Sequence, residues 1–428
     1  MIFKFKIYLA FSLVLIIGPM PVIVKAQSLQ KPFPQHTVYT LGSIKPNNRT
    51  QAEMDSSVVK FYRQWKKHYL RFTPRLECYL YCNADGNWRG GNKSPNSVSL
   101  SEGHGYGMLI TVMMAGYDPD AKTNFDGMLM YFKHHPSSIN HHLMAWNQVK
   151  DSSLTEKNSD DATDGDMDIA YALLLADKQW GSTGSYNYKK EAIDIINALM
   201  ATNVNHETEQ MIMGDFTEKG EPFYNDVRSS DIMPDHFKAF AEATGNAEWL
   251  KISDYSYRLL TTLQKKYSPI AGLFPDFVRN KGNKPRPAGP YFMEKGQDGY
   301  YNYNACRLPW RLACDYLVSG DTRAKNLLTP INSWIINRCK TDPEKIRDGY
   351  DLSGKPTIGA SGDNIAFIGS FGVGAMIDAS NQVWLNRIWD YAANEVIGDE
   401  EYYGNTLKML YMITISGNWW SVPVNNKQ

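Results

Sequence analysis

The sequence predicts an all-α fold, a closed α/α barrel of paired helices, on three observations. Twelve segments place apolar residues at helical spacing, strand-like alternation is scarce, and no stretch shows the composition shift of an interdomain linker. The predicted helices fall at about 55–72, 104–117, 120–134, 164–179, 187–202 and 232–244, then 246–266, 304–319, 322–340, 362–378, 380–396 and 402–416. In the fourth, Ile169, Leu173, Ala176 and Trp180 recur along one face. Turn-forming clusters such as Gly116-Tyr117-Asp118-Pro119 and Gly245-Asn246 separate the segments. Loops at 78–103, 203–231 and 267–303 are too long to be mere connectors, and loops of that size tend to carry function.

The ends of the chain read differently. Lys4 and Lys6 precede an apolar run from Ile7 to Val24, broken by Gly18 and Pro19, and Val24-Lys25-Ala26 fits a signal-peptidase site. We therefore expect a leader over residues 1–26 cleaved after Ala26, an extended lead-in over 27–50, and one domain over 51–428. The mature protein is expected to be periplasmic or secreted, with no membrane association after the leader is removed, and to be a monomer.

With 45 Lys+Arg against 45 Asp+Glu the net charge is zero, which leaves no long-range field to hold nucleic acid. Aromatic residues make up 13% of the chain, enough to supply ring platforms as well as core. Five cysteines are too few and too irregular for a disulfide scaffold. Cys78 and Cys82 could pair, while Cys306 and Cys314 fit an apolar helical pattern and are expected to be buried. No Cys/His cluster has zinc-ligand spacing.

Two segments concentrate carboxylates where helices begin. Ser101-Glu102-Gly103-His104-Gly105-Tyr106-Gly107-Met108 sets one acid among three glycines at the start of an apolar helix. Glycines weaken a helix, so their density implies that something approaches this backbone closely. Glu102 would favour a helix N-terminus in any case, by about 0.3–1 kcal/mol. The second segment, Asp161-Ala162-Thr163-Asp164-Gly165-Asp166-Met167-Asp168, carries four carboxylates in eight residues. Capping needs one, and the spacing and closing Glu of an EF-hand are missing. Asp164 and Asp166 are therefore candidates for a functional role.

These residues resemble glycoside hydrolase family 8. Ser101 to Met108 is similar to that family's acid segment, and Ala162 to Trp180 to its signature, an Ala-Thr-Asp-Gly-Asp start followed by an apolar helix ending in Trp. The resemblance recurs from about Asn92 to Trp420. It implies an (α/α)6 barrel and inverting hydrolysis of β-1,4-linked glycans, with Glu102 as proton donor and Asp164 hydrogen-bonding the sugar beside the scissile bond. That acid/base reaction needs neither metal nor organic cofactor, and none is expected.

One departure is informative. In Tyr303-Asn304-Ala305-Cys306-Arg307, Asn304 stands where the cellulase and xylanase branch has its general-base Asp. A second branch, of chitosanases and lichenases, has Asn there and takes its base from a Glu in the preceding loop. Glu294, ten residues earlier in Pro290-Tyr291-Phe292-Met293-Glu294, matches that position. Trp88, Trp146 and Tyr303 are candidate stacking residues, with Asp166 and Asn304 also assigned to substrate binding, and Arg307 could orient a carboxylate. In Arg228-Ser229-Ser230-Asp231, Asp231 replaces a Tyr of the cellulase branch, and an anion there would suit a glucosamine ammonium.

The expected partner is thus a β-linked polysaccharide or oligosaccharide, chitosan ahead of mixed-linkage β-1,3-1,4-glucan or cellulose. The alternative of another class is a glycan-binding protein without a working base. An α/α polysaccharide lyase would want a basic cleft, which the sequence does not show.

Overall fold

The computed structural model describes residue 2 and residues 30–86, 97–149, 160–362 and 364–422. The expected leader, apart from Ile2, and the stacking candidate Trp88 lie outside the described residues.

Twelve α-helices are present among the described residues: α1 Gln51–Tyr69, α2 Ser101–Met113, α3 Ala121–His134, α4 Thr163–Trp180, α5 Tyr188–Thr202 and α6 Pro234–Thr244. They continue with α7 Glu248–Tyr267, α8 Leu308–Ser319, α9 Thr322–Cys339, α10 Ile365–Ala375, α11 Gln382–Asn394 and α12 Tyr402–Ile415. Of the even-numbered helices, α2, α4, α10 and α12 are buried almost throughout, and a helix buried all round belongs in a core, while α6 buries one face. The even-numbered helices close a ring in which α2 packs on α4, α4 on α6, α6 on α8, α8 on α10, α10 on α12, and α12 on α2. The odd-numbered helices bury one stripe each; α1 backs α12, and each of the others backs the inner helix before it. The result is an (α/α)6 barrel. Because chain direction alternates between the layers, all six inner helices begin at one mouth.

Two of the glycines in the carboxylate-bearing segments, Gly105 and Gly165, mark where α2 and α4 meet, while Gly103 faces Tyr402 of α12 and Gly107 faces Met128 of α3. A Cβ on Gly165 would lie 2.5 Å from Ser101 Oγ and 2.7 Å from the Glu102 amide nitrogen, and one on Gly105 would lie 2.7 Å from Asp168 Cβ. The backbones touch, which sets Glu102 beside Asp164 at the mouth. Gly165→Ala should push the helices apart and destabilise the fold by about 1–3 kcal/mol, as overpacking does, with kcat falling alongside. Denaturant unfolding measures it, and an unchanged midpoint would mean that this contact is not tight.

Short strands lie at the mouth. β1 (Leu70–Phe72) pairs antiparallel with β2 (Cys78–Leu80), β3 (Ser97–Leu100) with β4 (Asn147–Val149), and β5 (Val204–Asn205) with β6 (Gln210–Met211). A three-stranded sheet of β7 (Asp226–Arg228), β8 (Phe277–Arg279) and β9 (Arg286–Pro287) is built from two of the long loops. The lead-in crosses helix ends far from one another in sequence: the Thr37 amide donates to Gly417 O at 2.7 Å, Thr40 to Leu317 O at 2.9 Å and Ile44 to Met376 O at 2.8 Å.

Helix starts differ from the sequence reading where polar residues set them. Thr50 and Glu53 form a capping box that starts α1 at Gln51 rather than 55. Helix α2 begins at Ser101, so all three glycines are helical. All five cysteines are buried and free. Cys78 lies in extended β2, and a separation of four residues along extended chain, at roughly 3.3 Å each, exceeds what a disulfide spans.

Candidate active site

The mouth of the ring gathers backbone N–H groups and positive helix ends, a setting that tolerates carboxylates. Helix α8 is entered by a 3₁₀ turn, Ala305–Arg307, which sends the Arg307 side chain across the mouth. Arg307 Nη1 donates to Glu102 Oε2 at 2.6 Å and to Asp164 Oδ2 at 2.9 Å, with Tyr106 Oη also at 2.9 Å. Its Nη2 donates to Asn304 Oδ1 at 2.9 Å. The guanidinium also lies 5.9 Å from the ring centre of Tyr403, at the start of α12. One cation thus ties together the starts of α2, α4 and α8.

Glu102 keeps 20% of its side chain exposed to the cleft. Burial pushes its carboxyl up, Arg307 draws it down and Asp164 pushes it up again, to a value of about 7. A carboxyl so placed can be protonated near neutrality and still reach a ligand. Asp164 also accepts from the Gly165 amide at 3.0 Å and from Ser230 Oγ at 3.3 Å.

Glu294 is exposed in the loop after β9, and Asn304 Nδ2 donates to its Oε2 at 3.3 Å. Glu102, Arg307, Asn304 and Glu294 therefore form one hydrogen-bonded chain across the mouth. The Asn304 turn is fixed by Asp276, whose Oδ1 accepts the amides of Asn302, Asn304 and Ala305 at 3.0, 3.1 and 2.7 Å. Burial raises the Asp276 carboxyl to about 7 against the pull of Lys295. Sequence reasoning misses Asp276, because nothing in a loop's composition tells which distant amides an Asp will collect.

The remaining candidates divide. Trp146 is half-buried beside the start of α2, its carbonyl accepting from the Ser101 amide at 3.0 Å. Tyr303, also half-buried, donates from Oη to Asp348 Oδ2 at 2.9 Å and lies under the Lys295 ammonium, 4.8 Å from the ring centre.

Asp166 and Asp231 lie deeper than the other described candidates. Asp166 is 0% exposed, and its Oδ1 accepts the Met144 amide at 2.9 Å, which ties the start of α4 to the segment carrying Trp146. Asp231 is likewise 0% exposed, and burial pushes its carboxyl well up despite nearby Arg228. Asp166 stands in the first turn of α4 and Asp231 closes the 3₁₀ turn Ser229–Asp231 before α6, and sequence does not say which way such side chains turn. Arg228, unassigned in the sequence, is mostly buried, with Nη1 3.9 Å from Asp164 Oδ1. Asp231, Asp164 and Glu294 all bear on its charge.

Comparison with known proteins agrees with this geometry. Residues 53–417 match the model of glycosyl hydrolases family 8. The chain is 47% identical over 391 residues to a β-glucanase of Niallia circulans, covering 91% of each. It is 39% identical over 402 residues to an endoglucanase of Bacillus sp. (strain KSM-330), covering 93% of this chain and 83% of that one. A solved β-1,3-1,4-glucanase from Paenibacillus sp. X4 superposes with a TM-score of 0.86 at 46% identity, covering 92% of this chain and all of that one. An (α/α)6 ring with its carboxylates at the mouth, and a family match over nearly all of that ring, make this chain a member of glycoside hydrolase family 8.

Proposed function

We propose that the protein is an exported, monomeric, inverting endo-β-glucanase that cleaves mixed-linkage β-1,3-1,4-glucan. The observation that carries the mechanism is the chain from Glu102 through Arg307 and Asn304 to Glu294, which sets two carboxyl groups on separate elements across one cleft. Glu102, protonated, donates to the glycosidic oxygen as the bond to the anomeric carbon breaks. Glu294, ionised, takes a proton from the water that attacks the opposite face. Asp164 accepts from a hydroxyl of the sugar between them, and Arg307 holds Asp164 and Glu102 in register. Inversion needs room for that water, with the two carboxyls about 6.5–9.5 Å apart. The linkage of Glu102 directly, and of Glu294 through Asn304, to one arginine favours catalysis over simple binding, which needs no such pairing.

Glucan is preferred to chitosan because the relatives described above are named β-glucanase and endoglucanase, and the solved structure β-1,3-1,4-glucanase. The case for chitosan also leans on Asp231 facing the substrate, and that side chain is 0% exposed beside Arg228, which already bears on its charge. In domain terms we read a leader over 1–26, a lead-in over 27–50 and a single catalytic domain over 51–428; a secreted product beginning at Gln27 would bear out the leader.

The test is reducing-end release on mixed-linkage β-glucan and on soluble chitosan, with Glu294→Ala alongside. Turnover of the glucan, an α-anomer as first product by NMR, and a loss of about 10²–10⁴-fold in the variant are expected. Turnover of chitosan alone would overturn the substrate, a β-anomer would overturn inversion, and a fully active variant would remove Glu294 from its role.

A further inference from the structure

The loop bearing Glu294 is anchored by Phe292, which packs edge-on against Phe223 and Phe277, but Tyr291 and Glu294, to either side of it, are open. Glu294 itself is exposed, Tyr291 is 81% exposed, and Tyr291 adopts a left-handed φ of 55°. A bulky residue is disfavoured there and stays only where its surroundings impose it. What imposes it lies underneath. Asp298 is 0% exposed, and its carboxylate accepts three successive backbone amides: Met293 and Glu294 on Oδ2 at 2.7 and 2.9 Å, and Lys295 on Oδ1 at 2.9 Å. The Tyr291 amide then closes the turn on Lys295 O at 2.8 Å. Asp298 is itself fixed to the sheet, its carbonyl accepting from the Phe277 amide at 2.9 Å.

We propose that Asp298 is the positioning residue for the general base. By collecting the amides on either side of Glu294 and that of Glu294 itself, it sets where the carboxylate stands relative to Asn304 and the attacking water. This rests on the reading of Glu294 as the base. The chemistry of the side chain matters: three N–H donors on two oxygens need a carboxylate, and an amide would turn an NH₂ toward at least one of them. Asp298 touches no substrate in this role and acts only through Glu294.

The two roles are separated by a double-mutant cycle on mixed-linkage β-glucan, comparing wild type, Asp298→Asn, Glu294→Ala and the double variant. Displacing a catalytic group by about 1 Å can cost on the order of 10²-fold. Asp298→Asn should therefore lower kcat by about 10–100-fold, with KM within about threefold and thermal unfolding near that of wild type. In the Glu294→Ala background the same change should alter residual kcat by less than about twofold, since coupled residues are not additive. Hydrogen exchange supplies a readout apart from activity: the amides of residues 293–295 should exchange at least about tenfold faster in Asp298→Asn while those of the inner helices stay protected. An equal loss in both backgrounds would overturn the proposal, as would faster exchange with undiminished kcat. A Glu294→Ala enzyme that keeps its turnover would instead overturn the assignment of the base.

Discussion

Glu102→Gln is expected to lower kcat on mixed-linkage β-glucan by about 10²–10⁴-fold, the contribution of a positioned general acid, and to abolish the alkaline limb of the kcat/KM profile. The sign follows from the role. A proton donor works in its protonated form, so activity should fall as pH rises through the Glu102 value of about 7, tenfold per unit beyond it. Gln keeps the size and can still accept from Arg307, but it has no proton to lose in this range, so its residual activity should be flat on that side. An alkaline limb that survives the substitution at the same pH would show that another group titrates there. Arg307 sets the position of that limb, because its guanidinium pulls down a carboxyl that burial pushes up.

What sequence made legible here depended on periodicity. The stripe Ile169, Leu173, Ala176 and Trp180 is buried, and the glycines around Glu102 each sit against a neighbour, Gly105 where α2 and α4 touch. Glu102, Asp164 and Arg307 could be found separately because each stands at the start of a helix, and the barrel brings all such starts to one mouth. Direction was not legible. Asp164 and Asp166 are two residues apart on one helix end, yet one meets Arg307 in the cleft and the other holds the Met144 amide behind it. Nor were Asp276 and Asp298, whose partners depend on how loop and sheet fold together.

Breaking the charge column beneath the mouth should produce the largest loss of stability. Arg311 on α8 makes a bidentate pair with Asp168 on α4, at 2.8 and 2.5 Å. Asp168 Oδ1 also meets His236 Nε2 at 2.9 Å, and His236 Nδ1 meets Asp235 Oδ1 at 2.9 Å, both on α6. Side-chain exposure is 2% or less throughout, so removing one charge strands the others, and Arg311→Leu should cost about 3–5 kcal/mol.

The pH dependence distinguishes charge from packing, since Arg311 also stacks 3.9 Å from the Trp310 ring centre. Burial would raise Asp168, but Arg311 and then His236 hold it below the usual carboxylate range. Its stabilising contribution is therefore present above about pH 3.9 and lost as pH falls through the lower folded value. His236 runs the other way: burial would lower it, Asp235 and Asp168 raise it, and its contribution is full below about pH 6.5 and lost as pH rises through the folded value. Without Arg311 the Asp168 carboxyl should rise, because its strongest counter-charge is gone. The difference between wild type and Arg311→Leu in denaturant unfolding should then be widest near pH 7 and shrink toward pH 4, where a protonated Asp168 no longer needs the cation. A difference constant across that range would assign the loss to the Trp310 contact and leave the column without a net electrostatic role.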